Sequence, residues 1–453
     1  MAVFPKREAV EKLAELALEL AVKGGASASD VLYSEGSGHS VSMMDGEIEE
    51  STSGSRAGIG VRTIFSDGRQ GIAYGNRLDE RAVRELVSWS LHNAAASEPE
   101  ENITVYGGPL STNPLLEAED PYIRRITEEE RLAWCREMTR EAKLADKRII
   151  SVRAASWRDG WGASFFMNSR GLSFWEQGSS ASCGVLVLAS DGLSTEMGGY
   201  GMDAMRLLEL DPLGSARTAV RQTTAALGGK KLPTSSCTIM IEPEAAASLV
   251  EITGSLFCAS DIHRGRSMMK GRLGEAVAAS CVSLTDNGRL PWKPGSSSRD
   301  SEGVPTKRTE LIKKGTAEAF LYNLQYAAKD NVPSTGNCAR SLSSLPDIGT
   351  TNLVLEAGTE KPAALISQIK NGMYVTEFMG LHTIDPISGD FSIGAKGFRI
   401  ENGEITTPAS GMTIASNLLV FLKNIAAVGS DLKFSGSVAA PSLVVENVVI
   451  AGE

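Results

Sequence analysis

Helical and strand-like stretches follow one another in a regular order at the start of the chain. Apolar residues recur at helical spacing from Val10 to Ala21, and a Gly-Gly pair follows, so we predict a helix over residues 6–23. Alternating strand-like segments come next, broken by two hairpin-turn signals, Asp45-Gly46 and Asp67-Gly68. A second helix is predicted over residues 79–96, which completes a helix–strands–helix unit.

The same order of patterns recurs downstream. Thr127 and Glu130 form a capping-box pattern at the start of a predicted helix that extends to about residue 145. Strand-like segments then run to Tyr200, and Asp211-Pro212 begins a helix that ends at Gly228-Gly229. The recurrence predicts a duplicated unit, although the similarity of the two segments is weak enough to leave coincidence open.

A change in composition divides the chain after this second unit. The segment from Gly228 to Ser236 is polar and contains a proline, so we place a domain boundary there and predict domains over 1–230 and 235–453. The second part is rich in strands and glycine, with predicted helices at about 243–257, 360–371 and 416–428. Strands come in consecutive runs rather than alternating singly with helices, which predicts an α+β fold with mixed or antiparallel sheets.

Composition narrows the class of protein. The chain has 453 residues, a formal net charge of −10 and no conspicuous basic cluster, so direct binding to duplex nucleic acid is not expected. Six widely spaced cysteines without a C-x-x-C motif indicate reduced thiols rather than a disulfide framework. No signal peptide or long apolar run is recognisable, so we expect a cytoplasmic protein that is not bound to a membrane.

The helix predicted at 243–257 carries the most informative pattern. Glu251 and Gly254 lie near its end, preceded by Val250 and followed by Ser255. This segment resembles the metal-binding helix of the TldD/PmbA family, the peptidases once called modulators of DNA gyrase. In the active subunits of that family the segment reads His-Glu-x-x-Gly-His, so Val250 and Ser255 occupy the two histidine positions. The chain therefore resembles the PmbA branch, also called TldE, which lacks the zinc motif.

Further blocks in the second half carry the same resemblance. Their order and number, rather than any single block, identify the family. They include Asp300–Thr306, Ser334–Asn337 with Arg340, Gly372–Thr376, Ser388–Ser392, Ile400–Gly403, Val428–Asp431 and the tail from Pro441 to Gly452.

Loss of the metal site is predicted from all three ligand positions. The chain has four histidines, and none lies within helical reach of another. The resemblance implies a third ligand from a cysteine near the C-terminus, but the corresponding tail, residues 433–441, contains no cysteine. We therefore predict no metal and no catalytic residue in this chain, with the zinc expected in a TldD-like partner. Val250, Glu251, Gly254 and Ser255 are then vestigial motif positions.

Two other chemistries compete with this interpretation. Glu251, Cys258, Asp261 and His263 include donor types that suit zinc, but a buried thiol and a surface loop explain them more simply. Cys338 could act as a nucleophile only if the fold brought a base to it.

A second group of residues predicts a substrate cavity. Its centre is the loop from Ser334 to Arg340, where glycine and asparagine permit tight turns and an arginine could pair with a carboxylate. A buried loop held by its own side chains explains the same pattern. The candidate cavity residues are Asp300, Glu302, Ser334, Thr335, Gly336, Asn337 and Arg340.

The resemblance implies a function with alternatives. We expect the non-metal subunit of a heterodimeric zinc metalloprotease that acts on unfolded or extended peptides, leader peptides or antitoxins. A free-standing peptide-binding homodimer without catalytic activity, or an independent peptidase, are the other possibilities. The expected partners are a TldD-like zinc subunit and an extended peptide, with no direct nucleic acid and no membrane.

Overall fold

The computed structural model describes residues 4–108 and 116–452. The first part of the chain forms one antiparallel sheet with helices on one face. Its first unit contains α1 (Arg7–Lys23), β1 (Ala28–Met44), β2 (Glu47–Ile64), β3 (Gln70–Gly75) and α2 (Glu80–Ala96). Its second unit contains α3 (Glu128–Ala145), β4 (Ile149–Asn168), β5 (Ser173–Ser190), β6 (Thr195–Ala204) and α4 (Pro212–Ala225).

Local signals in the sequence explain where these elements begin and end. Asp45 and Gly46 both have positive φ, as a two-residue hairpin turn between β1 and β2 requires. Thr127 and Glu130 form the expected capping box: the Thr127 hydroxyl accepts from the Glu130 amide at 3.2 Å, and the Glu130 carboxylate accepts from the Thr127 amide at 2.7 Å. Asp211 caps α4 through the Gly214 amide.

The predicted duplication is present in the topology. Strand order in the sheet is β3-β2-β1-β4-β5-β6, so the two units meet along their first strands, β1 and β4. Alternate residues of β1, such as Tyr33 and Met43, are buried beneath the helices of the first and second unit respectively. The other set of alternating residues, such as Asp30 and Ser34, lies on the opposite face of the sheet and points toward the second part of the chain.

The second part builds two six-stranded sheets around one large core, together with one two-stranded sheet. Its first elements are β7 (Ser235–Ile241), α5 (Pro243–Ser255), α6 (Ala259–His263), β8 (Leu284–Asn287), β9 (Arg308–Lys313), β10 (Thr316–Ala317), α7 (Leu324–Lys329), β11 (Cys338–Ala339), β12 (Asp347–Ile348) and β13 (Leu353–Leu355). Its last are α8 (Pro362–Ser367), β14 (Asn371–Met379), β15 (Asp390–Glu401), β16 (Glu404–Asn417), α9 (Leu418–Lys423), β17 (Ile425–Val428), β18 (Lys433–Ser435), β19 (Val438–Ala440) and β20 (Leu443–Ala451).

Helix α5 packs against both six-stranded sheets, and the two-stranded sheet pairs β11 with β12. One sheet has the order β10-β9-β8-β13-β19-β18, and the other has the order β16-β15-β14-β7-β20-β17. A further pairing of β16 with β20 closes part of the second sheet on itself. Parallel pairs occur in both, β13 with β19 and β14 with β7, so the predicted α+β fold with mixed sheets is confirmed.

Two predicted helices are shorter than the pattern indicated. The helix predicted over 360–371 is α8 and ends at Ser367, because β14 begins at Asn371. The helix predicted over 416–428 ends at Lys423, because Ile425 pairs with Val445 of β20 and begins β17. Tertiary pairing thus prevails over helical spacing of the apolar residues. No helix in the described ranges is both long and apolar enough to cross a lipid bilayer.

Candidate functional site

The four motif positions lie near the end of α5, but they face in different directions. Val250 is buried among apolar side chains of the core, where it borders a cavity of only about 20 Å³. Glu251 and Ser255 are exposed, and the Ser255 hydroxyl donates to the Ile252 carbonyl at 2.8 Å. Gly254 lies against β13, where a Cβ would come within 2.3 Å of the Leu353 side chain.

The C-terminal tail packs directly against this helix. Lys433 of β18 lies 3.4 Å from the Glu244 carboxylate of α5, and Val438 to Ala440 of β19 are buried. The fold therefore brings together the three segments from which the resemblance implies zinc ligands. The residues found there do not fit zinc, because a hydrocarbon, an exposed hydroxyl and a hairpin without cysteine or histidine replace imidazole and thiolate. No cluster of three or more His, Cys, Asp or Glu suited to a metal occurs among the described residues.

The alternative donor set around α6 is not assembled. Cys258 is buried, and burial, reinforced by the Asp261 charge, raises the pKa of its thiol to about 12. The His263 ring instead lies 2.7 Å from the Asp330 carboxylate and faces Tyr326. Cys338 is also buried, and burial raises the pKa of its thiol well above the ordinary value. Neither thiol is therefore poised as a nucleophile.

One titratable group at the start of α5 was not identified from the sequence. Glu242 precedes the helix, and burial, followed by the neighbouring charge of Glu244, raises the pKa of its carboxyl to about 7. The Tyr374 hydroxyl donates to this carboxyl at 3.4 Å. Glu242 can therefore exchange a proton near neutral pH.

Buried charges join the two parts of the chain in what we call the ion cluster (Asp30, Arg62, Glu302 and Arg340). The Arg62 guanidinium donates twice to the Asp30 carboxylate, at 2.8 and 2.5 Å. Arg340 forms an ion pair with the other carboxylate oxygen at 2.7 Å. Glu302 lies 4.0 Å from Arg62, and all four side chains are at most 3% exposed. The carboxylate predicted for Arg340 is thus supplied from within the chain, by β1.

The ionisation of these carboxyls differs with their surroundings. Burial alone would raise the pKa of the Asp30 carboxyl, but the charges of Arg340 and Arg62 outweigh it and hold that pKa below its ordinary value. Burial and the neighbouring Glu302 raise the pKa of Asp300 to about 7. Burial also raises the pKa of Glu302, against the charge of Arg62. Asp30 is therefore the carboxylate of the ion cluster whose ionised form the two arginines favour over its burial, whereas burial outweighs the arginine charges at Glu302.

The Asp300 carboxylate organises the turn that contains Glu302. One oxygen accepts from the Glu302 and Val304 amides, both at 2.9 Å, and the other accepts from the Cys338 amide at 3.0 Å. Glu302 in turn accepts from the Leu324 amide at 3.0 Å. These backbone contacts fix the turn beside the loop of Ser334–Arg340.

The loop itself is held by its own polar groups. Ser334 and Thr335 donate to the Tyr322 carbonyl, and the Asn337 amide donates to Asp286 at 2.8 Å. Gly336 has a φ of +75°, and a Cβ there would lie 2.5 Å from the Pro305 carbonyl oxygen. Of the predicted cavity residues, Asp300, Gly336, Asn337 and Arg340 line a cavity of about 270 Å³. Glu302, Ser334 and Thr335 do not line it.

A larger cleft continues from this cavity along the N-terminal sheet. Its volume is about 970 Å³, and the two spaces share Ser164, Phe174, Glu176 and Ser297. The floor is the face of β1, β4 and β5 that carries Ser34, Gly162, Ser164, Glu176 and Gly178; residues from 294–298 and 116–121 form the walls. Because glycine and serine have no side chain or a short one, the backbone of a ligand could lie close to these strands.

Glu176 is the charged group on this floor. Its carboxylate accepts from the Ser298 amide at 2.7 Å, and burial raises its pKa despite that hydrogen bond. The N-terminal side of the cleft was missed because β1 is separated from β4 and β5 by more than 100 positions in sequence. The available signal was the succession of glycine and serine at alternate positions of β1, β4 and β5.

The chain is similar to proteins of one family along most of its length. Three family profiles match successive segments: PmbA/TldA metallopeptidase domain 1 at 29–94, the central domain at 121–227 and the C-terminal domain at 234–452. The metalloprotease PmbA of Escherichia coli O157:H7 is 26% identical over 452 residues, covering 100% of this chain and 98% of its own length. A metalloprotease TldD homologue of Haemophilus influenzae is 24% identical over 400 residues, covering 85% and 82%.

Solved structures agree with this relationship. A Thermotoga maritima protein named for modulation of a DNA gyrase superposes with a TM-score of 0.89 at 25% identity, covering 97% of this chain and 100% of its own. TldE of Thermococcus kodakarensis gives a TM-score of 0.88 at 22% identity, covering 98% and 100%. The second similarity shows the fold.

Proposed function

The chain belongs to the PmbA/TldD metallopeptidase family, and we propose that it is the non-metal, TldE-like subunit of a cytoplasmic two-subunit peptidase. A TldD-like partner would supply the zinc and the catalytic groups. This chain would contribute part of the chamber that receives unfolded or extended peptides, including leader peptides or antitoxins.

The arrangement around α5 carries this proposal. Val250, at a histidine position of the family motif, packs in an apolar core, and the adjoining β18–β19 hairpin offers no thiol or imidazole. A hydrolytic zinc site needs about three protein ligands and an open position for water. The residues at this place provide none of the usual nitrogen or sulfur ligands.

The cleft supports a role in holding peptides. Its volume of about 970 Å³ is at the upper end of the range typical for ligand sites, and its floor is made of strands with short side chains. Such a surface can bind an extended backbone with little selection for sequence.

The first experiment measures zinc and peptidase activity for three samples: this chain, a TldD-like chain and their mixture. We expect little zinc and no hydrolysis of an unstructured fluorogenic peptide by this chain alone, and zinc-dependent hydrolysis by the mixture. Equal activity of the TldD-like chain with and without this chain would contradict the proposal. So would close to one zinc per chain in this chain alone.

A pair of tryptophan substitutions tests the cleft. Ser34→Trp places an indole within the cleft, whereas Ser40→Trp places one on the same strand face, six residues beyond Ser34 and outside the lining. We expect Ser34→Trp to abolish binding of a labelled unstructured peptide to the mixed complex and Ser40→Trp to retain it, with similar thermal stability. Equal peptide binding by both variants would exclude the cleft as the peptide site.

The same experiments separate the proposed subunit from the free-standing peptide-binding homodimer. Peptide binding by this chain alone, without formation of a mixed complex, would favour the homodimer. Hydrolysis by a chelated sample of this chain alone would favour an independent peptidase.

A further inference from the structure

The outer half of β2 is a sheet edge to which no other strand of the described residues pairs on the outward side. Residues 47–56 are all exposed, and β3 pairs with β2 only from Ile59 onward. The other side of β2 is paired with β1 along its whole length, except where the ladder passes over Glu49 as a bulge. The stretch from Glu50 to Arg56 is therefore an exposed, regular strand, and no strand in the described part of the chain pairs with its outward amide and carbonyl groups.

This edge lacks the features that usually prevent association. Natural edge strands are commonly protected by proline, by lysine or by a covering helix or loop. Residues 50–56 contain neither proline nor lysine, and serine, threonine and glycine supply five of the seven. Nothing lies within 4 Å of the position that a Cβ on Gly54 would occupy. An edge of this kind is available for pairing with another strand.

The charges on the edge indicate what that strand is. Glu50 and Arg56 lie on the same sheet face, opposite Ser42 and Gly36 of β1, and are exposed. Neither forms an ion pair with another described residue. They are placed symmetrically about Ser53, three residues to either side. When a strand pairs antiparallel with a copy of itself about Ser53, Glu50 of each copy lies opposite Arg56 of the other.

We propose that this edge binds the same edge of a second copy of the chain, with the two β2 strands antiparallel and Ser53 opposite its own counterpart. The pairing joins two six-stranded sheets into one continuous sheet with two-fold symmetry. Antiparallel pairing about a two-fold axis normal to the sheet keeps each residue on its own face, so both Glu50–Arg56 pairs form on one face. This inference is independent of the peptidase role proposed above.

The register also fits the available length. Residues 50–56 of the two copies pair fully, bounded by the bulge at Glu49 and by the start of β3 pairing at Ile59. Such a pairing supplies about six to eight backbone hydrogen bonds and two cross-strand ion pairs. An interface of this size predicts a dimer that dissociates on dilution.

Disulfide trapping tests the register directly. In a Cys281→Ser background, which removes the exposed native thiol, Ser53→Cys places two cysteines opposite each other at a Cα separation of about 5 Å, within the range for a disulfide. Ser51→Cys separates identical positions by about 14 Å, because residue 51 lies opposite residue 55, four residues along the neighbouring strand. We expect rapid covalent dimerisation of Ser53→Cys, none of Ser51→Cys or Ser55→Cys alone, and trapping when the last two are mixed.

Charge reversal tests the same register without covalent capture. Sedimentation equilibrium should show at least about tenfold weaker dimerisation for Glu50→Arg and for Arg56→Glu, and restoration in the double variant. Glu49→Arg, which lies outside the predicted ion pair, is the matched control and should leave dimerisation nearly unchanged. All of these side chains are exposed, so folding should not be affected.

Three results would overturn the inference. The first is a wild-type chain that stays monomeric at all concentrations. The second is cross-linking of Ser53→Cys that is no faster than cross-linking of Ser51→Cys. The third is a dimer whose dissociation constant is unchanged by both charge reversals. A mixed complex with a different family member through this edge would show trapping only when that chain is present, and it would also contradict self-pairing.

Discussion

Removal of one carboxylate charge from the ion cluster should loosen the connection between the two parts of the chain. Asp30→Asn keeps the shape of the side chain but leaves Arg62 and Arg340 without their shared ionised partner. Glu302 is then the nearest remaining acidic group, 4.0 Å from Arg62, and burial raises its pKa. Two guanidinium groups would remain buried with incomplete charge compensation.

The size of the effect follows from burial. The Asp30 side chain is 1% exposed and the two arginine side chains are each 2% exposed, so water cannot replace the lost carboxylate. Breaking a buried pair by removing one partner typically costs about 3–5 kcal/mol. We expect a decrease of this size in the free energy of unfolding at neutral pH.

The assay is urea unfolding followed by tryptophan fluorescence, with the slope of the transition compared between variants. Glu85→Gln is the matched control, because the Arg81–Glu85 pair is exposed and its loss should cost less than about 1 kcal/mol. A second variant, Asp30→Asn combined with Arg340→Met, removes the surplus cation and should recover part of the stability.

The result that would refute this reasoning is a loss for Asp30→Asn no larger than that for Glu85→Gln. The pH dependence gives an independent check. Because the folded-state pKa of Asp30 is below its ordinary value, its contribution is present above that value and is lost as the pH falls through the folded pKa. The difference between wild type and Asp30→Asn should therefore shrink on acidification, and a constant difference would contradict the assignment.

Two further predictions concern packing and protonation. Gly254→Ala should lower the free energy of unfolding by about 1–3 kcal/mol in thermal unfolding, because the added Cβ would overlap the Leu353 side chain. Gly54→Ala is the control and should be nearly neutral, because open space surrounds the position of its Cβ. Equal effects of the two substitutions would contradict the packing argument. The pKa of Asp300 is about 7 in the folded chain against an ordinary value of 3.8, so the unfolded chain releases a proton first and stability falls as the pH rises. Between about pH 5 and pH 8 this loss amounts to about 3 kcal/mol, and Asp300→Asn should flatten the fall by that amount in urea unfolding; an unchanged slope would contradict the raised pKa.

Features set by neighbouring residues could be predicted from the sequence. The capping box at Thr127, the hairpin turn at Asp45-Gly46 and the helix start at Asp211-Pro212 depend on contacts within a few positions of the chain. The order of these signals also predicted the repeated helix–strands–helix topology. The two-domain division at 230–235 stays a prediction.

Features set by distant residues could not be predicted in the same way. Arg340 was expected to bind a carboxylate, but nothing near it in sequence identifies Asp30, more than 300 positions away, as that carboxylate. The apolar spacing of residues 418–425 is compatible with a helix, and only the pairing of Ile425 with β20 selects the strand. The cleft floor was missed for the same reason, since β1, β4 and β5 come together only through sheet pairing.

The motif on α5 combines residues with two different physical roles, and the structure separates them. Gly254 lies against Leu353, so its small size is required by the packing of α5 on β13 whether or not a metal is bound. Val250 is accommodated in the adjoining core, so the fold does not depend on an imidazole at that position. Glycine at a motif position is therefore evidence of the family fold, whereas the ligand positions are evidence of the chemistry. A chain can therefore keep the packing glycine and the family fold while residues other than the motif histidines occupy the ligand positions.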